Sequence, residues 1–284
     1  MRITLISILI LFISQSCIKN DPNPSWLEIN QWQLNSNPNS QFEPGELTES
    51  ITDVQVFVDN ELVGVFELPC KVPILKSGES NIKLYPVILN NGFSATKKVY
   101  PFLEPYSLDA VLIQDDVLTI SPQTQYYSNL EFWIEDFQEE FTVSIIQDQG
   151  WPVTIEIANG LNGNKFGRIT LDETNNSWVG YTENEQLVLP KGQDVYLEID
   201  YHSTNRVTTG LLGVGPGGNQ QNPNIRLNPQ EESDVVWRKI YIDLEEIVSG
   251  SQDASYFELT FNALLDEGDT HGEINIDNIK VIHF

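Results

Sequence analysis

Three histidines, His202, His271 and His283, stand on separate segments with no His-x-x-x-His pair and no cysteine beside them. Zinc needs converging nitrogen and sulfur ligands, so these positions read as strand or turn histidines. No Gly-x-Ser-x-Gly turn offers a nucleophilic serine, and Cys70 sits at the end of an apolar strand pattern, where a quiet buried thiol is expected. The glycine-rich stretch 213–218 lacks the Gly-Lys-Ser/Thr ending of a phosphate loop. The 41 acidic residues guarantee chance carboxylate pairs, so their number does not specify glycoside hydrolysis. Binding chemistry remains. Trp151, within Gly150-Trp151-Pro152, and Trp178, after Asn176-Ser177, lie in polar, loop-like surroundings. An aromatic face so placed either stacks on a sugar ring or caps the edge of a sandwich.

The elements that must position such residues follow from composition and pattern. A net charge of −26, spread along the chain, argues against nucleic acid or bare anionic lipid as a partner, since both are polyanions. It favours a solvated surface and bound cations. A hydrophobic share of 40%, with 6 Trp, 10 Tyr and 13 Phe, excludes a disordered chain and allows well-formed cores. At the amino terminus Arg2 precedes an apolar run over 3–13 and then Ser14, Gln15, Ser16 and Cys17. A membrane-spanning helix needs roughly 20 apolar residues, so this shorter run reads as an export signal.

Ser16 before Cys17 resembles the lipobox of bacterial lipoproteins, with Ser14 where that family usually has Leu. The resemblance implies lipid on Cys17, a signal peptide over 1–16 and a lipidated tether over 17–25, whose two prolines keep it extended. Lipid carried on two or three acyl chains anchors a protein essentially permanently. Cys70 is then the remaining thiol, which excludes an internal disulfide.

Strand patterns fill the rest. Val54, Val56 and Val58 alternate with Gln55 and Phe57, Asp59-Asn60 supplies a turn, and 62–68 returns, which predicts a hairpin. The stretch 56–69, completed by 73–78, resembles the small envelope β-domains called PEGA domains, with Asn60 in place of the usual Gly. Further on, Val195, Leu197, Ile199 and Tyr201 share one parity, and Phe257, Leu259, Phe261 and Ala263 share another. Ile274 and Ile276 fall out of phase with Ile279 and Val281, which requires a β-bulge near Asp277-Asn278. Residues 244–248 allow only a turn or two of helix. The expectation is an all-β protein: a small Ig/PEGA-like sandwich over 26–121, then a larger jelly-roll β-sandwich over 122–284.

Phe132-Trp133-Ile134-Glu135-Asp136-Phe137, the block 237–244 and the closing Ile276-Asp277-Asn278-Ile279 resemble the jelly-roll modules of the galactose-binding type, which include many carbohydrate-binding modules. In those modules the first and last strands are neighbours and their acids often hold a structural calcium through hard oxygen ligands. The resemblance makes Glu135, Asp136 and Asp277 the candidate calcium ligands, and the Asp266-Glu267-Gly268-Asp269 turn a weaker candidate. The chain as a whole resembles the two-domain outer-membrane lipoproteins of Bacteroidota, which implies a lipid anchor in the outer membrane. Lys19 and Asp21 partly resemble surface-export signals and favour the cell-surface face over the periplasmic one.

Three functions follow, in this order: a non-enzymatic scaffold subunit of an outer-membrane complex for assembly, export or uptake; a carbohydrate-binding surface lipoprotein; and a glycan-active enzyme. The first takes a β-barrel or other envelope protein as partner, and the second takes glycan.

Overall fold

Alternation of apolar and polar residues, punctuated by Gly, Asn and Pro, builds strands almost throughout. The computed structural model describes residues 23–138, 145–157, 160–182, 186–231, 233 and 236–284. The export signal and Cys17 lie outside the described residues. No helix among them is long and apolar enough to cross a membrane.

The first sandwich contains β1 (Ser25–Ile29), β2 (Gln33–Leu34), β3 (Asp53–Val58), β4 (Glu61–Glu67), β5 (Cys70–Ile74), β6 (Gly78–Leu89), β7 (Lys97–Val99), β8 (Tyr106–Leu112), β9 (Val117–Ile120) and β10 (Gln123–Thr124). One sheet runs β5-β1-β9 and the other β4-β3-β6-β7, with β8 also pairing β6; β2 and β10 form a short parallel pair. The predicted hairpin is β3–β4. Asp59 and Asn60 both take positive φ, 50° and 67°, the conformation that matches a two-residue turn to the twist of its strands.

The second sandwich contains β11 (Glu131–Glu135), β12 (Ile145–Gln149), β13 (Thr154–Glu156), β14 (Phe166–Asp172), β15 (Ser177–Thr182), β16 (Val195–Ser203), β17 (Val207–Gly215), β18 (Gly218–Leu227), β19 (Arg238–Asp243), β20 (Tyr256–Leu264) and β21 (His271–His283), with a short α-helix, α1 (Glu245–Gly250), and a 3-10 turn at Leu161–Gly163. Its two sheets run β13-β14-β21-β16-β19 and β12-β15-β20-β17-β18, a jelly-roll sandwich. The expected bulge is present. Glu198 faces Lys280 and Asp200 faces Asp277, so β21 carries one extra residue there, and Asn278 absorbs it with φ 45°. At the same point the far neighbour of β21 changes from β14 to β11.

The core between these sheets holds Leu197, Ile199, Trp178, Phe257, Phe261, Ile276 and Val281. The core of the first sandwich includes Leu27, Val56, Ile82, Tyr100 and Phe102, and it takes in Tyr196, Tyr241 and Ile282 from the outer face of the second. The two halves are thereby packed on one another.

Candidate functional site

A jelly roll has two outer faces, and which one is free decides where a ligand can sit. On the β16-bearing sheet, Tyr196 and Glu198 alternate with core residues, as do Lys239 and Tyr241 on β19 and Lys280 and Ile282 on β21. Such charged alternate positions ordinarily face water. Here the first sandwich covers them. Glu198 is fully buried, and its Oε1 accepts the phenol hydroxyl of Tyr100 at 2.5 Å. Tyr126 donates to both carboxylate oxygens at 3.0 Å, and Lys239 Nζ lies 2.7 Å from Oε2. Burial alone would raise the Glu198 pKa, yet the ammonium groups of Lys239 and Lys280 hold it below the usual carboxylate range. Burial, with Lys239 nearby, pushes Lys280 down to about 8 despite Glu198, Asp200 and Glu46. This face is sealed by a satisfied ionic network.

At the edge of that network lie the candidate calcium ligands. The first and last strands are neighbours, as the jelly-roll resemblance implied, with Glu135 opposite Ile279. Glu135 Oε1 accepts the Phe137 N–H at 2.8 Å, and Asp136 Oδ1 accepts the Gln138 N–H at 3.1 Å. Asp277 Oδ1 accepts the Asn278 N–H at 2.8 Å, while its Oδ2 is buried without a hydrogen-bond partner. Calcium takes six to eight oxygens. The neighbouring oxygens are committed: Asp200 Oδ2 accepts from Thr48 at 2.6 Å and Asn278 at 3.1 Å, and Glu46 accepts from Asn162 and Asn164. Among the described residues no three His, Cys, Asp or Glu side chains group as metal ligands. Among the described residues Asp277 Oδ2 is the one buried carboxylate oxygen without a hydrogen-bond partner, too few for the ion. It fits a proton, since burial and the nearby Asp200, Glu46 and Asp136 raise Asp277 to about 8.

The outer face of the other sheet is open. Trp178, Ala263, Val207 and Leu227 point into the core, so the residues next to them in each strand point outward. Register aligns those into a row: Val179 faces Asn262, Asn262 faces Thr208, and Thr208 faces Arg226. They line a cleft of about 490 Å³ that also includes Arg206 and Leu264. Arg226 is exposed and makes no ion pair with the described residues, whereas Arg206 Nε is held by Asp266 Oδ1 at 2.6 Å. A bulge in β18 opposite Thr208 and Gly210 bends that strand. A Cβ on Gly210 would lie 2.6 Å from Asn222 O and 2.8 Å from Thr260 Oγ1, so glycine here lets β17 and β18 approach closely at the bulge.

The structure corrects one expectation. Trp178 is 0% exposed and does not offer a stacking face. It sits on an inward position of β15 against Phe261, and Gly180 leaves room for the ring, which a Cβ there would meet at 2.4 Å. Trp151 is 51% exposed in the turn after β12 and is not among the residues that line the cleft. Cys70 is half-buried, with its thiol pKa raised by burial and by Asp53, as a quiet thiol requires. His202 packs edge-on to Trp237 with ring centroids 4.6 Å apart. Asn262, Thr208 and Arg226 were not singled out in the sequence. Each is an ordinary outward residue of its strand, and only the register joins them.

No protein-family model and no curated protein sequence matches the chain. Solved structures do resemble it. A family 22 xylan-binding module from Paenibacillus barcinonensis aligns with TM-score 0.38 and 12% identity, covering 52% of this chain and 91% of the module. A family 29 carbohydrate-binding module aligns with TM-score 0.36 and 12% identity over 54% of this chain and 89% of the module. Another family 29 structure, complexed with cellulohexaose, aligns with TM-score 0.35 and 11% identity over 54% of this chain and 91% of that one. The strand order described above establishes the β-sandwich by itself.

Proposed function

We propose that the jelly-roll half of this chain binds glycan without cleaving it, on the open face of β15, β20, β17 and β18. The observation that carries this is the row of Asn262, Thr208 and the exposed Arg226 in one cleft, beside the apolar Val179 and the 64% exposed Leu264. A sugar ring presents hydroxyls that both donate and accept, around a weakly apolar C–H face. An amide, a hydroxyl and a guanidinium fixed on adjacent strands meet the first, and a small aliphatic shelf meets the second. This places the carbohydrate-binding reading ahead of the scaffold subunit. Binding of the whole chain to an array of oligosaccharides, lost in Asn262→Ala with Arg226→Ala, is the expected result. An array with no binder, or one whose binders ignore both substitutions, overturns the reading.

The lipid on Cys17, the outer-membrane location and the cell-surface face belong to the same proposal, supported by the apolar run 3–13 and by Ser16 before Cys17. A protein partner in the envelope is the second reading. β4 favours it, as the edge strand of its sheet with Leu62, Val63 and Val65 exposed. Crosslinking in the native membrane, with capture through β4, is its test.

A further inference from the structure

A second cleft, of about 670 Å³, lies at the end of the jelly roll between the turn after β16, the segment after β18 and the β20–β21 turn. Thr204, Gln230, Ser233, Asp266, Asp269 and His271 line it. Gln230 is 7% exposed. Its Oε1 accepts the Val236 N–H at 2.8 Å, which fixes the amide orientation, and its Nε2 is buried without a hydrogen-bond partner. A buried donor left unpaired costs its full desolvation, so the cleft is built to be completed by an acceptor.

The orientation decides the ligand class. A cation would want oxygens and would gain nothing from an N–H, whereas the acids at this cleft want donors. A saccharide hydroxyl does both at once, accepting from Gln230 and donating to Asp269. Asp266 lines this cleft and the open-face cleft alike, and its ion pair with Arg206 stands between them.

We propose that the end cleft is a second saccharide subsite, so that one oligosaccharide runs from the open face over the Arg206–Asp266 pair to Gln230. This rests on the glycan-binding reading. Its consequence is a preference for length: Gln230 acts on chains long enough to reach it and is silent for short ones.

The test is calorimetric titration of the whole chain with xylo-, cello- and manno-oligosaccharides of two and six units. Gln230→Met removes the donor while keeping the side chain's length, and Asp269→Ala alters an exposed turn side chain that the fold does not need. The expected result is hexasaccharide binding weakened about tenfold in each variant, with disaccharide binding unchanged. Unchanged hexasaccharide affinity in both, while Asn262→Ala weakens binding about tenfold, overturns the end subsite and leaves the glycan reading standing. No binding of any of these sugars by the unsubstituted chain overturns both.

Discussion

Tyr100, just after β7 of the first sandwich, donates its hydroxyl to Oε1 of Glu198 on β16 of the second at 2.5 Å, with both side chains fully buried. This contact joins the halves through a carboxylate that also holds Lys239. Removing one member leaves the others charged or polar and out of water. Lys239→Ala is therefore expected to destabilise by about 3–5 kcal/mol and Tyr100→Phe by about 1–3 kcal/mol. Urea unfolding measures both. Two separated transitions in Lys239→Ala, replacing one in the parent, would show that the network couples the halves; losses under 0.5 kcal/mol would refute its importance.

Asp277 makes stability depend on pH. Its folded pKa, raised to about 8, lies above the ordinary 3.8, so the folded chain holds a proton that the unfolded chain releases. Stability from this group is full below about pH 4 and is lost as pH rises towards 8. Asp277→Asn keeps an acceptor for the Asn278 N–H and puts a donor where Oδ2 stands. It should flatten that slope, with a gain that is smallest at pH 5 and grows to several kcal/mol at pH 8. Melts at pH 5, 6.5 and 8 check it. A gain equal at all three values defeats the prediction, and a melt lowered by chelator would return calcium to this site.

Cys17→Ala should abolish lipid attachment, because the transferred lipid needs a thiol at the residue that follows the cleavage site. Metabolic labelling with fatty acid reads this directly. Label retained by the variant would rule out lipidation at this position.

Much of the strand scaffold was legible because parity is a local property. Val54, Val56 and Val58 are buried as their alternation requires, and the phase slip between Ile276 and Ile279 located the bulge that Asn278 carries at φ 45°. The sealed face was not legible. Glu198, Lys239 and Lys280 occupy outward strand positions that would ordinarily be solvated, and only the docking of Tyr100 and Tyr126 buries them. Trp178 was obscured by its polar flanks, since the space for its ring comes from Gly180 two residues on and from β20, far along the chain. The Asn262–Thr208–Arg226 row joins three strands whose pairing no local pattern reveals.

That difference between Trp178 and the open row separates structure from binding. Truncating a fully buried tryptophan removes core volume, so Trp178→Ala should cost about 3–5 kcal/mol and lower the melting temperature. Trp178→Phe should recover part of that loss. Neither change should alter affinity per folded molecule, because Trp178 borders the cleft but its ring is 0% exposed and packed on Phe261. Asn262→Ala should do the reverse. It removes an outward amide, keeps stability within about 0.5 kcal/mol and weakens oligosaccharide binding about tenfold, the worth of one directed hydrogen bond. Melting and titration of the same preparations place each variant on both axes. Intact stability with lost sugar binding in Trp178→Phe would put the ligand near the core tryptophan and away from the Asn262 row.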